Sequence, residues 1–431
     1  MVKSFSIRRR ASFFVKTSPC YSCNKGIYYQ SIEYVVGVLI RYGGIRVKAR
    51  LKQNSYTQSY ISYLMKNGFS VAYDDYHLFS TNEFPKGDDY YCYEPSLKRS
   101  EISSIEYLHK GQRRSSPFTP FMEQSETTAL ILIKDDQIYY EGYFNGHERG
   151  IPHKLFSITK SFISALVGIA INQGLIHHLD DPITAYIPEL KLKSMTIKQL
   201  LQMDAGIKFK EGLLPWSDEA KVYLHPNARE LALSVVEDSS GSFFHYNDYH
   251  LLLLGLILER VTGQSVSEYM YQQLLSKLGF QFQSHWILDS EKHALEKTES
   301  GLVMTAIDLA KFGTLFLKKG KWQGEQLIKP EWIHESTCRE HVIFDKQHFH
   351  YYEKHPWGKM WFKQNKAYYK YLWWGHRNRE ENNDYFALGN LGQVLYISPE
   401  NNALAIRLGK KWGIMDWWPS ILHKLINTYC V

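Results

Sequence analysis

Apolar and polar positions change rhythm along this chain, and each change marks an element. Thr128–Lys134 and Gln137–Phe144 are rich in β-branched, aromatic and long apolar residues, with Asp135-Asp136 between them, a pattern that predicts a β-hairpin. Past Lys160 the period becomes helical: Ile163, Leu166, Val167, Ala170 and Ile171 share one stripe, and Gly174 supplies a stop. A buried helix is therefore expected to begin close to Ser157. Helical spacing continues from about Leu175 to Ser300, clearest at Ile197–Met203 and Leu251–Val261. After Gly301 the pattern predicts a helix over Ala306–Lys318 and another near Glu331. Strands follow at Tyr385–Leu388, Gln393–Ile397 and Ala403–Arg407, then a last amphipathic helix over Ile414–Tyr429.

Strands that bracket a helical middle imply an α/β (α+β) fold. One antiparallel sheet, flanked by helices, is completed by both ends of the domain, with an all-helical lobe of about 175–300 inserted. The cleft between the lobes is where a site is expected. Residues 1–95 are rich in Tyr, Ser and Lys with weak periodicity, and read as an extension to a main domain of 96–431.

Composition narrows the class. With 431 residues, 44% hydrophobic and 15% aromatic, the chain can bury a large core. Its net charge of +7 is scattered, apart from Arg8-Arg9-Arg10 and Arg113-Arg114, which reads as solvated surface and argues against a nucleic-acid partner. Five cysteines, of which only Cys20 and Cys23 are close together, point to free thiols and to no metal site. The N-terminal apolar run Val35–Ile40 is far short of the roughly 20 residues a membrane span needs, and Arg8–Tyr21 lacks a secretory core. No stable membrane span is expected; a cytoplasmic location is the default, and a periplasmic one follows if the true start differs. Composition leaves the oligomeric state open.

The chemistry starts at Ser157-Ile158-Thr159-Lys160. A serine hydroxyl needs a neighbouring base to become a nucleophile, and a lysine three residues on along a helix faces the same way. By itself the spacing equally describes a helix cap followed by a solvated lysine. Ser22-Cys23-Asn24-Lys25 repeats it in a polar stretch without helical period, as chance would. Weight comes from three distant segments: Phe244–Gly263, which contains Tyr246-Asn247-Asp248; Gly301–Gly313; and Ala387–Gln393, which contains Ala387-Leu388-Gly389-Asn390.

These four segments, in this order across roughly 125–430, resemble the serine β-lactamase and penicillin-binding protein superfamily. The closest branch is that of class C β-lactamase-related esterases and 6-aminohexanoate-dimer hydrolases. The resemblance implies a β-lactamase/transpeptidase-like fold and a serine hydrolase that needs no metal or cofactor. Ser157 would form an acyl-enzyme with a small-molecule ester or amide, and Lys160 and Tyr246 would serve as the general base and acid pair. Either could be the base: a buried ammonium favours a phenolate at Tyr246, whereas burial and like charge can neutralise the lysine. The oxyanion would be met by the backbone N–H groups of Ser157 and Asn390, with Gly389 and Gly392 allowing close approach or simply making a turn. A β-lactamase or penicillin-binding peptidase, and a catalytically inactive binding protein on the same fold, are the alternatives.

Two departures narrow the substrate. Ala387-Leu388-Gly389 lacks the lysine that the resemblance would use to hold a β-lactam carboxylate, which favours esters and small amides. Asp248 stands where the family has Asn, and a carboxylate cannot donate to a substrate carbonyl. It could hold Lys160 charged, favouring Tyr246 as base, or cap the helix before Leu251. Trp357, Trp361, Trp373, Trp374 and His376 crowd the approach to the last strands as core or pocket wall. Trp374 is assigned to substrate binding, and His376 to hydrogen bonding only.

Overall fold

The computed structural model describes residues 12–15, 35–42, 45–52, 55–67, 71–98, 101–190, 195–212, 214–238, 241–339, 367–376 and 383–430. Ser22–Lys25, Cys20, Cys23, Trp357 and Trp361 lie outside them. The chain forms two compact units, 1–71 with 211–226, and 72–210 with 227–431. In the first, Ser12–Val15, Val35–Tyr42 and Ile45–Lys52 form an antiparallel sheet. The helix Ser55–Asn67 sits beside Asp218–Leu224, with the Tyr56 hydroxyl donating to Pro215 O at 2.8 Å.

The second unit is built on an eight-stranded sheet. Its order is Ala367–Lys370, Trp373–His376, Tyr385–Gly389, Gln393–Ser398, Ala403–Gly409, Thr127–Lys134, Gln137–Tyr143 and Glu94–Pro95. All neighbours are antiparallel except the last pair. The predicted hairpin forms with Lys134 opposite Gln137, and Asp135 (φ 49) and Asp136 (φ 60) make the mirror-image turn that matches strand twist. Ala403–Gly409 pairs with Thr127–Lys134, so two distant parts of the domain do close one sheet.

Alternation along the strands then places a helix on each face. Leu395 and Leu404 point toward Gly313 of the helix Ala306–Leu317. On the opposite face Tyr396 and Arg407 meet His423 and Trp418 of the helix Trp418–Tyr429, which starts later than expected, with Pro419 in its first turn.

Helical structure ends before Ser300. Ser284–Ile287 is a strand between Leu302–Met304 and Thr81–Phe84, in a second sheet that also holds His153–Lys154. Its partner Thr81–Phe84 lies two hundred residues upstream, so local periodicity carried no sign of it.

Ala367–Lys370 and Trp373–His376 also form an unforeseen hairpin. Its turn residues Tyr371 (φ 40) and Leu372 (φ 68) are in the left-handed region that Asn and Gly usually fill. Tertiary contacts hold it: Leu372 N donates to Leu201 O at 3.1 Å, Ser161 Oγ donates to Leu372 O at 2.9 Å, and Tyr371 stacks on Trp332.

The predicted buried helix spans Thr159–Asn172, is preceded by a tight turn over Phe156–Ile158, and is followed by Gly174 at φ 73. Phe162 stacks on Phe312 with ring centres 3.7 Å apart. Gly168 lets Trp332 approach so closely that a Cβ there would lie 2.3 Å from its ring. Among the described residues no helix is long and apolar enough to cross a membrane.

Candidate active site

Ser157 sits in the tight turn at the head of this helix, just after Phe156, whose φ of 51 is unfavourable for a bulky side chain. Neighbouring strands hold the turn. Leu155 N donates to Leu302 O at 2.9 Å, and Leu302 N to Thr159 Oγ1 at 3.1 Å.

One helical turn on, Lys160 is 2% exposed, and its ammonium is ringed by oxygen acceptors. Nζ donates to Ser157 Oγ at 3.0 Å and to the Glu299 carbonyl at 2.8 Å, and lies 2.8 Å from Asp248 Oδ1. The ammonium also stands 5.0 Å from the centre of the Tyr246 ring. Burial pushes Lys160 down, but Asp248 and Tyr246 together outweigh it and raise its pKa above the ordinary lysine value. The lysine is an ammonium in the resting site.

Tyr246 and Asp248 arrive on the segment leading into the helix Tyr249–Thr262. Buried Asn247 between them anchors this segment: its Nδ2 donates to Ile207 O at 3.0 Å, and its Oδ1 accepts from Tyr249 N at 2.9 Å. The residue at the helix start is Asp248, yet its side chain makes no capping hydrogen bond and turns to Lys160 instead. The phenol of Tyr246 hydrogen-bonds with Ser157 and Lys160. Its pKa is raised by burial, which the Lys160 charge and the Ser157 hydrogen bond oppose without overcoming, while Asp248 adds to the rise. This departs from the expectation that a buried ammonium leaves a phenolate. Asp248 spends the lysine's charge on an ion pair and sets a negative charge against ionisation of the ring.

Aromatic walls complete the surroundings. Trp374 lies 5.6 Å from Tyr246 between ring centres, and Tyr369, opposite Trp374 in the hairpin, stands edge-on to Tyr246 at 5.7 Å. Phe244 closes on Tyr369 at 5.3 Å. Gly389 ends its strand directly against the turn that carries Ser157: a Cβ there would lie 2.3 Å from Leu155 O. Asn390 follows in an exposed turn. His376 lies in a separate network, with Nε2 3.1 Å from the Tyr396 hydroxyl, which donates to buried Asp384 at 2.6 Å.

The structure thus gathers Ser157, Lys160, Tyr246, Asp248 and Trp374, and sets Gly389 against the turn that carries the serine. A cavity of about 930 Å³ lined by Phe316, Pro330, Thr337, Cys338 and Tyr385 includes none of these. Sequence reading missed Asn247, Tyr369 and Glu299. For Asn247 the adjacent motif was a signal; Glu299 acts through its carbonyl, which every residue has. Among the described residues no group of His, Cys, Asp and Glu could hold a metal ion.

Comparison with known proteins gives the family and the fold. The β-lactamase family model matches residues 116–414. The 6-aminohexanoate-dimer hydrolase of Paenarthrobacter ureafaciens is 23% identical over 304 residues, covering 67% of this chain and 73% of that protein. A Bacillus anthracis structure provisionally described as a 6-aminohexanoate-dimer hydrolase aligns with a TM-score of 0.66 at 20% identity, covering 86% of this chain and 92% of that one. A penicillin-binding protein of Bacillus halodurans aligns with a TM-score of 0.53 at 16% identity, over 72% of this chain and 98% of that one. With the family model spanning well over half of the chain, this protein belongs to the β-lactamase family.

Proposed function

We propose that the protein is a serine hydrolase that cleaves an ester or small amide through an acyl-enzyme on Ser157, within residues 96–431. One observation carries this reading: Lys160 Nζ lies 3.0 Å from Ser157 Oγ and 2.8 Å from Asp248 Oδ1 in a single line of proton transfer. A saturated ammonium is no base. As Ser157 attacks the carbonyl carbon, Lys160 therefore passes one proton to Asp248 and takes the hydroxyl proton in its place. The developing oxyanion is met by the backbone N–H groups of Ser157 and Asn390.

On collapse of the tetrahedral intermediate, Tyr246 protonates the leaving alcohol or amine. Its raised pKa keeps it neutral and ready to do so. The phenolate is then reprotonated through Lys160 from Asp248, which returns Tyr246, Lys160 and Asp248 to their starting states while Ser157 carries the acyl group. Water repeats the sequence on the acyl-enzyme. The Paenarthrobacter relative, a 6-aminohexanoate-dimer hydrolase, supports amides within the substrate range. Lacking a lysine, Ala387-Leu388-Gly389 supports a substrate without a β-lactam carboxylate.

The test is a panel of p-nitrophenyl esters, small amides and labelled penicillin. Turnover of esters or amides without penicillin acylation is expected. Prompt acylation by penicillin would instead make the protein a penicillin-recognising enzyme. Failure of a fluorophosphonate to label correctly folded protein would make it an inactive binding protein.

A further inference from the structure

The turn Asn390–Gly392 has an unfavourable backbone. Leu391 (φ 62) and Gly392 (φ 84) are both left-handed, the first with a branched side chain. Backbone pairing of Gly389 with Gln393 brackets the turn, and side chains hold its carbonyls. Gln393 Nε2 donates to Asn390 O at 2.9 Å and to Gly409 O at 2.8 Å, while its Oε1 accepts from Gly409 N at 2.8 Å. Arg407 Nη1 donates to Leu391 O at 2.9 Å and to Gly392 O at 2.8 Å. Three successive carbonyls are thereby fixed by two side chains.

Arg407 is built into its place. It is fully buried, and its remaining donors reach Thr127 Oγ1 at 3.1 Å, Ser125 O at 3.0 Å and Lys411 O at 2.9 Å, so five N–H groups meet five oxygens. The guanidinium lies 4.5 Å from the centre of a Trp418 ring. Glycines make room for it: a Cβ on Gly392 or Gly409 would lie 2.6 Å or 2.2 Å from its nitrogens. No carboxylate is among these partners, and burial pushes the group down to about 9. An apolar side chain of similar volume would avoid this desolvation but could not grip two consecutive carbonyls.

We propose that Arg407 and Gln393 are positioning residues for the oxyanion donor: they lock the chain on the C-terminal side of the Asn390 N–H, while Gly389 packed on Leu155 fixes it on the other. This rests on the acyl-enzyme reading above. Neither residue touches the substrate; both keep a backbone donor from reorganising as charge develops, where removal of such a donor costs about 100- to 1000-fold in kcat.

The test uses Gln393→Met, which loses both donors, and Arg407→Lys, which keeps the charge but not the five-fold grip. Each is assayed on p-nitrophenyl butyrate and with phenylboronic acid, whose adduct with the serine mimics the tetrahedral state. Kcat is expected to fall about 10- to 100-fold with KM within about twofold, and phenylboronate affinity should fall in step with kcat/KM. A folded variant of either kind with parental kcat, or with losses confined to melting temperature or KM, overturns the proposal. Gln393→Glu, which keeps the acceptor and loses the donors, repeats the test if the first variants do not fold. If Ser157→Ala still turns over the ester, the acyl-enzyme reading itself has failed.

Discussion

The ammonium of Lys160 and the carboxylate of Asp248 form an ion pair at 2.8 Å in which the lysine side chain is 2% exposed and the aspartate 22%. A buried cation beside a partly wet anion is the polar heart of this site. It explains why Lys160 stays charged, and Asp248 adds to the burial that keeps Tyr246 protonated.

Replacing Asp248 separates these effects. In Asp248→Asn the main influence holding Lys160 up is gone and burial dominates, so its pKa drops. At pH 7 kcat/KM should fall about 10-fold or more, because the proton acceptor of the relay is lost, then recover as rising pH deprotonates the lysine directly. A pH–rate profile checks this. A mutant with the parental rate and profile would remove Asp248 from the proton path.

Ser157, Lys160 and Tyr246 act as one unit in this reading, so their losses should not add. Ser157→Ala is expected to abolish ester turnover and fluorophosphonate labelling. Lys160→Ala and Tyr246→Phe should each cost about 1000-fold or more, and the double mutant little beyond the worse single one. Near-parental rates in any of the three would break the assignment.

Gly389→Ala tests the strand that borders the serine turn. A Cβ there would lie 2.3 Å from Leu155 O, a backbone atom that cannot swing aside. Strand and turn must separate, at a cost of about 1–3 kcal/mol. Since this moves Asn390 away from Ser157, kcat should fall about 10-fold or more even where the protein remains folded. Calorimetry and steady-state kinetics on the same preparation distinguish the two losses.

Asp204 predicts a pH dependence of stability. Burial raises its carboxyl from 3.8 to about 7, so the folded protein holds this proton more tightly than the unfolded chain does. Its contribution to stability therefore declines as pH rises from about 4 to about 7. Asp204→Asn should gain on the parent progressively across that window, by up to about 4 kcal/mol above it. His153 and His250, pushed down to about 3 by burial, act with the opposite sign: the stability they allow above about 6.5 is lost as pH falls. Urea titrations of parent and mutant at pH 5 and pH 8 measure the difference.

Much of this architecture was legible in local pattern. The Asp135-Asp136 hairpin, the helix after Lys160 and the strands Gln393–Ser398 and Ala403–Gly409 follow from periodicity and turn chemistry, because burial of one face or both imposes those periods on the chain itself. The same spacing put Lys160 over Ser157, one helical turn apart. What lay beyond the sequence was set by partners far along it. The Tyr371–Leu372 turn carries none of the usual turn residues and is held by Leu201, Ser161 and Trp332, and Tyr369 reaches the site through that turn. The direction of the Tyr246 shift was likewise undecidable from residue types, since it is a balance among burial, Lys160 and Asp248 that depends on distances. Periodicity records what each segment buries; only the packed fold decides which charges meet.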